Sequence, residues 1–118
     1  MIESPIKTKS INFAIRIINL YKYLQDTKRE YVMSKQVLRS GTSIGANVHE
    51  AYFGSSTKDF AAKIQIALKE ASETEYWLYI LNQTGFLDEQ KSTSIIADCQ
   101  ELARMLHATV KTTRQKLE

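Results

Sequence analysis

The sequence predicts an all-α fold, an up-down-up-down antiparallel four-helix bundle that associates with copies of itself, and three observations carry that expectation. Apolar residues recur with a period near 3.6 in four long segments, and no alternating strand pattern competes. The only proline is Pro5 and glycines number four, so almost nothing interrupts a helix. The connections, around residues 26–33, 54–56 and 85–88, are short enough to favour antiparallel neighbours. At 118 residues a single bundle domain spanning 1–118 is expected.

The first helix is predicted over about residues 6–25. Phe13, Ile17, Leu20 and Leu24 form one apolar line and Ile11, Ile15 and Ile18 another. Only a narrow strip of Asn12, Arg16, Asn19 and Tyr23 is left polar, so this helix calls for burial on more than one side.

The second helix, about 34–53, carries Val37, Leu38, Gly41, Ile44, Gly45, Val48, Ala51 and Tyr52 on one face. Each helical glycine costs about 1 kcal/mol relative to alanine, so Gly41 and Gly45 on that face imply a packing reason: without a Cβ a neighbouring backbone can come close.

The third helix, about 57–84, opens at Ser56-Thr57-Lys58-Asp59, a capping-box-like signal with Asp in place of Glu or Gln. It closes at Gly85, with Phe86 to make the apolar contact that often follows a glycine cap. Phe60, Ile64, Ala67, Leu68, Ala71 and Leu78 form one stripe, and Ile66, Trp77 and Ile80 a second on the far side. The fourth helix, about 88–115, starts with Asp88 as N-cap and has a single stripe of Ile95, Cys99, Leu102, Leu106 and Val110.

Helices one and three therefore show more apolar surface than one core requires, and self-association would bury the excess, with Ile66, Trp77 and Ile80 as interface residues. The simpler alternative has Trp77 and Tyr79 wrapping the rim of a monomer core.

A hydrophobic fraction of 43% with 25% charged residues is ordinary for a globular chain and argues against disorder. No apolar run approaches membrane-spanning length and no secretion leader is evident, so a cytoplasmic protein without membrane contact is expected. Cys99 is alone, which excludes an internal disulfide and a cysteine-based zinc site. The net charge of +3 hides an uneven distribution: residues 1–39 carry net +5, residues 40–90 net −4 and residues 91–118 net +2. Basic ends around an acidic middle suit an anionic partner or complementary helices packed side by side.

The stretch "RSGTSIGANVHEA" (39–51) invites a phosphate-loop reading, but its glycine spacing is one residue short, Ala46 stands in place of lysine and no strand precedes it. Helix-packing glycines are the better reading. Glu70-Ala-Ser-Glu73 and Glu101-Leu-Ala-Arg104 lack the histidine of a di-iron Glu-x-x-His pair, and His49-Glu50 is not followed by a second metal-ligating histidine. No cofactor, metal site or enzyme signature emerges, so a non-enzymatic protein is expected.

Two polar patterns remain. Arg39, Ser43, Asn47 and Glu50 share a line on helix two, and on helix three Glu70, Glu73 and Trp77 flank Ile66 in the same manner. Arg39 and Lys69 are expected to neutralise Glu50, Glu70 or Glu73 within or between subunits and so set helix register; an ordinary solvated face is the alternative. On helix four, Arg104, His107, Lys111 and Arg114 follow i+3, i+4, i+3 on the side away from the core, a stripe able to track a phosphate backbone. Cations also suit a helix C-terminus through its dipole. The segment "YKYLQDTKREYVMSK" (21–35) interleaves tyrosines with cations, as base stacking requires, although tyrosine at a bundle rim is commoner.

"SKQVLRSGTSIGANVHEA" (34–51) and "DFAAKIQIALKEASETEYWLYIL" (59–81), together with "FAIRIINLYKYL" (13–24) and "TGFLD" (84–88), closely resemble the bacterial four-helix-bundle family named for the 23S rRNA intervening sequence. His49 falls at a position that varies in that family and gains no catalytic status from the match. The resemblance implies a ring-like homopentamer without catalytic activity. Some members of the family are encoded within inserted segments of large-subunit rRNA genes, and a related branch assists a reverse transcriptase of diversity-generating retroelements through a basic, nucleic-acid-binding surface. It therefore implies an RNA- or DNA-binding accessory protein, or alternatively a protein-interaction scaffold for a partner such as a reverse transcriptase. The basic stripe on helix four lies outside the matched motifs.

Overall fold

The computed structural model describes residues 4–118, and among these the regular elements are four α-helices with no strand. They are α1 (Pro5–Asp26), α2 (Met33–Ala51), α3 (Thr57–Gln83) and α4 (Glu89–Leu117). The predicted second helix is two residues too long at its end, because the chain turns at Tyr52 and Phe53.

Each helix buries one seam, mostly at three- and four-residue steps. On α1 this is Ile6, Ser10, Phe13, Ile17, Leu20 and Leu24, and on α4 it is Ser92, Ile95, Cys99, Leu102, Leu106, Val110 and Thr113. That stepping keeps side chains on one side of a 3.6-residue helix, and the four seams meet in one apolar core. Of the two apolar lines on α1 the Phe13 line is inside, whereas Ile11, Ile15 and Ile18 are exposed. On α3 the buried seam runs through Ala61, Ile64, Ala67, Ala71, Thr74, Leu78 and Leu81, with Phe60 and Leu68 half-buried at its edge.

Local chemistry sets the helix ends. Pro5 begins α1, where its missing N–H leaves no bond unmade. The Ser56 side chain accepts from the Asp59 amide, but Asp59 turns its carboxylate to the Ser55 hydroxyl, so the cap is only half of a capping box. At the far end of α3, Gly85 has φ +86°, its N–H donates to the Asn82 carbonyl and the Phe86 N–H donates to the Leu81 carbonyl. These are the two bonds of a Schellman closure. Asp88 accepts from the Lys91 amide at 2.8 Å and so starts α4.

The start of α2 follows a rule the sequence does not announce. Val32 stands at the N-cap and offers no acceptor. Glu30 lies buried beneath the turn instead, and its carboxylate accepts from the backbone N–H groups of Val32, Met33 and Ser34 at 3.2, 3.1 and 2.7 Å. A negative group among the orphan amides of a helix start satisfies both their hydrogen bonds and the helix dipole.

Helices adjacent in sequence pack on one another, while α1 and α4 touch only sparingly. Gly41 and Gly45 lie on the α1–α2 seam: a Cβ on Gly41 would stand 2.7 Å from Ile17 Cγ1, and one on Gly45 would stand 3.2 Å from the Ser10 carbonyl oxygen. Between α2 and α3 the buried Thr74 hydroxyl donates to the Glu70 carbonyl and lies 2.8 Å from Ser40 Oγ. The α1–α4 seam is an open groove bridged by polar side chains. Lys9 pairs with Glu101 at 3.2 Å, and Arg16 donates to Asp98 at 2.6 Å and to the Ser94 hydroxyl at 2.7 Å. Within the polar strip of α1, Arg16 thus reaches α4, while Asn12 and Asn19 stay exposed.

Candidate functional site

The outer surface of α4 carries a line of exposed basic side chains. Arg104, His107, Lys111 and Arg114 are all exposed, as the i+3, i+4, i+3 spacing requires of residues opposite the Cys99–Leu102–Leu106 seam. His107, Lys111 and Arg114 line a shallow depression with Gln65 and Leu68 of α3, and Arg114 donates to Gln65 Oε1 at 3.0 Å. Arg104 stands outside that depression.

Elsewhere five cations are paired, whereas others, Lys22, Lys28, Arg29, Lys35 and Lys69 among them, have no described carboxylate within ion-pair distance. Lys9, Arg16, Arg39, Lys63 and Lys91 each have a carboxylate within ion-pair distance, whereas none of the described residues supplies one to Arg104, Lys111 or Arg114. Exposed pairs of that kind contribute little stability, but each cancels charge locally, and Arg104, Lys111 and Arg114 keep theirs.

The polar line between α2 and α3 is divided among several partners. Arg39 bridges two α3 carboxylates, Glu70 at 3.2 Å and Glu73, and Glu73 also accepts from the Trp77 indole N–H at 3.0 Å. Glu50 pairs with Lys63, a residue outside the expected set, at 3.2 Å. Asn47 turns back on its own helix and donates to the Ser43 carbonyl and hydroxyl. Lys69 is exposed and has no carboxylate of the described residues within pairing distance, so it does not neutralise Glu50, Glu70 or Glu73 within this chain.

The apolar set on the far side of α3 divides by exposure. Ile66 is exposed, but Trp77 and Ile80 are half-buried, and Trp77 packs against the chain's own core with its N–H held by Glu73. The freely exposed aromatics of that helix are Tyr76 and Tyr79. At the rim the Trp77 indole finds a carboxylate one helical turn back, which satisfies its polar end while the ring packs inward.

Cys99 is fully buried, and its thiol donates to the Ala71 carbonyl at 3.4 Å. Burial, reinforced by the negative charges of Glu75 and Asp98, pushes its pKa up to about 12, so it stays protonated and unreactive at neutral pH. Among the described residues, no group of three or more His, Cys, Asp and Glu side chains forms a metal-binding cluster, and no helix is long and apolar enough to cross a membrane.

A family model described as "23S rRNA-intervening sequence protein" matches residues 3–108. Among solved structures, the chain is similar to a protein of unknown function from the S23 ribosomal protein family of Bacteroides thetaiotaomicron VPI-5482. The two are 51% identical with a TM-score of 0.89, over 90% of this chain and 95% of that one. No curated protein matches the chain.

Proposed function

This chain belongs to the 23S rRNA-intervening sequence protein family, and from that membership we propose that it is a non-enzymatic, cytoplasmic nucleic-acid-binding accessory protein that works as a ring-like homo-oligomer, a pentamer by resemblance. The observation that carries the reading is the exposed stripe of Arg104, Lys111 and Arg114, whose charge no described carboxylate cancels. An up-down-up-down course is part of the proposal. It is supported by contacts that pair rising numbers on one helix with falling numbers on the next, as in Arg39–Glu73 and Glu50–Lys63, or Lys9–Glu101 and Arg16–Asp98. In a ring, each copy repeats the basic stripe, so a weak patch gains avidity on a long RNA or DNA.

Counterion release supplies the test. Three phosphate contacts give a slope of about −2.7 in log affinity against log salt, or roughly a fortyfold loss between 50 and 200 mM salt. Fluorescence titrations with structured rRNA fragments and duplex DNA should show that fall. Replacing Arg104, Lys111 and Arg114 by Gln should flatten it without changing the assembled mass. Absence of binding at low salt, or binding indifferent to salt, rejects the proposal.

The exposed Ile11, Ile15 and Ile18 ridge favours one second reading, in which the oligomer is a scaffold for a protein partner such as a reverse transcriptase. A partner retained on the assembled protein after nuclease digestion, with no nucleic acid bound by the purified chain, would favour it over the first.

A further inference from the structure

The turn between α1 and α2 gathers chemistry that the α4 stripe does not use. It lies in the stretch of residues 21–35 that interleaves tyrosines with cations. Tyr21 and Tyr23 are half-buried, and Tyr23 packs on the core with the Lys91 ammonium 5.1 Å from its ring centre. Tyr31 stands out instead, 47% exposed, and Val32 beside it is 73% exposed. Glu30 accounts for that stance. Its carboxylate is drawn inward to the amides of Val32, Met33 and Ser34, and the residues on either side of it, Arg29 and Tyr31, are left outside. Two steps apart in the chain, their Cα atoms are separated by no more than about 7.6 Å, so ring and guanidinium share one turn.

Arg29 sits in the left-handed region at φ +56°, which a Cβ disfavours and glycine occupies freely, as Gly85 does at the end of α3. The backbone of this turn therefore asks for glycine, and what the arginine contributes lies in its side chain. Its charge is not spent within the chain: Lys22, Lys28, Arg29 and Lys35 are all exposed, with no described carboxylate within ion-pair distance. Glu30 is committed to its amides, which leaves Asp26 as the exposed carboxylate of the stretch. In the α3–α4 turn, Asp88 is held below the usual carboxylate range chiefly by the Lys91 backbone N–H and in smaller part by the Lys28 charge, so Lys28 is the least free of the four cations. A protruding ring between unpaired cations matches single-stranded nucleic acid, whose unstacked bases offer their faces while the phosphates follow the charges. Bases inside a duplex are already stacked on one another and offer no face to such a ring. An anionic lipid surface would draw the same cations, but it gains its hold from buried aliphatic area, of which this turn exposes only Val32.

We infer that the α1–α2 turn takes single-stranded nucleic acid, with one base stacked on Tyr31 and the adjoining phosphates carried by Arg29 and Lys28. The inference rests on the nucleic-acid reading above and adds to it a second contact, the strand form and the residue that selects it.

Three labelled probes of about 12 nucleotides, a length within common single-strand footprints, separate the possibilities by anisotropy at fixed low salt: oligo(U), an abasic strand of equal charge, and an RNA duplex. The protein should bind oligo(U) about tenfold more tightly than the abasic strand. Tyr31→Ala should erase that gap and leave the abasic strand and duplex bound as before, while Tyr31→Phe should keep it. The gap should also persist in a protein carrying Arg104→Gln, Lys111→Gln and Arg114→Gln, although its affinity for every probe falls. Arg29→Gly should raise the urea midpoint, because glycine accepts the left-handed backbone, and yet weaken both single strands alike. Equal binding of oligo(U) and the abasic strand, a gap that survives Tyr31→Ala, or an Arg29→Gly protein with undiminished single-strand affinity overturns the inference and leaves the nucleic-acid reading standing. Failure of all three probes to bind removes both. A Tyr31→Ala protein of reduced assembled mass in light scattering marks the ring as a contact between copies, and binding to phosphatidylserine vesicles in place of oligo(U) marks the turn as a lipid contact; either result overturns the inference.

Discussion

Cys99 shows how one side chain reports the quality of the core. Its folded pKa of about 12 lies above the ordinary 9.0, so the folded state holds the thiol proton over a range where the unfolded chain releases it. The resulting stabilisation is complete below pH 9.0 and is lost as pH rises from there toward 12. Thermal melts of the protein and of Cys99→Ala should therefore converge as pH is raised above 9.0, and the native thiol should resist a disulfide reagent at pH 8 until denaturant is added. Burial of this residue was legible, because it sits in register with Ile95, Leu102 and Leu106. The partners of Glu50 and Glu30 were not. Glu50 meets Lys63 across the α2–α3 turn and Glu30 folds under its own turn, and both depend on where the chain bends, which no periodicity records.

At the scale of the helix, the glycine face of α2 sets the α1–α2 spacing. Alanine at Gly41 gains about 1 kcal/mol in helix propensity, but its Cβ would lie 2.7 and 2.8 Å from both γ carbons of the fully buried Ile17. Overpacking of that kind costs about 1–3 kcal/mol, so Gly41→Ala should destabilise on balance, measured by urea unfolding. Ile17→Val keeps both γ carbons and should not relieve the strain. Ile17→Ala removes them, and a double-mutant cycle should show favourable coupling between Ile17→Ala and Gly41→Ala. The need for close approach at these glycines was legible from their place on the apolar face. That α1 supplies the approaching surface was not, since two other helices offered equally apolar stripes.

For the molecule as a whole, the 47 × 24 × 20 Å rod leaves apolar side chains uncovered on two helices, the ridge of Ile11, Ile15 and Ile18 on α1 and the Tyr76–Tyr79 ridge on α3. Two different ridges on one chain suit head-to-tail contacts, which close into a ring when the rotation permits. Placing Lys at Ile11 and Ile15 should lower the mass seen by light scattering to that of smaller species while circular dichroism stays helical, because neither side chain belongs to the monomer core. Unchanged mass would place the contact between copies elsewhere. The surplus of apolar surface was visible in the spacing of these residues. How far each of them is covered by its own chain was not: Trp77 is half-buried against the core with its indole N–H on Glu73, one turn back.

Helix number, the single buried seam of α4 and the caps at Ser56, Gly85 and Asp88 follow from the order of residues alone, since a 3.6-residue period and a capping hydrogen bond are relations among near neighbours in the chain. Three further features required the folded chain: the inward choice of the Phe13 line on α1, the polar bridging of the α1–α4 groove, and the outward stance of Phe53. Each is a relation between segments distant in sequence. Burial and charge pairing depend on which surface arrives opposite, and packing settles that after the helices have formed.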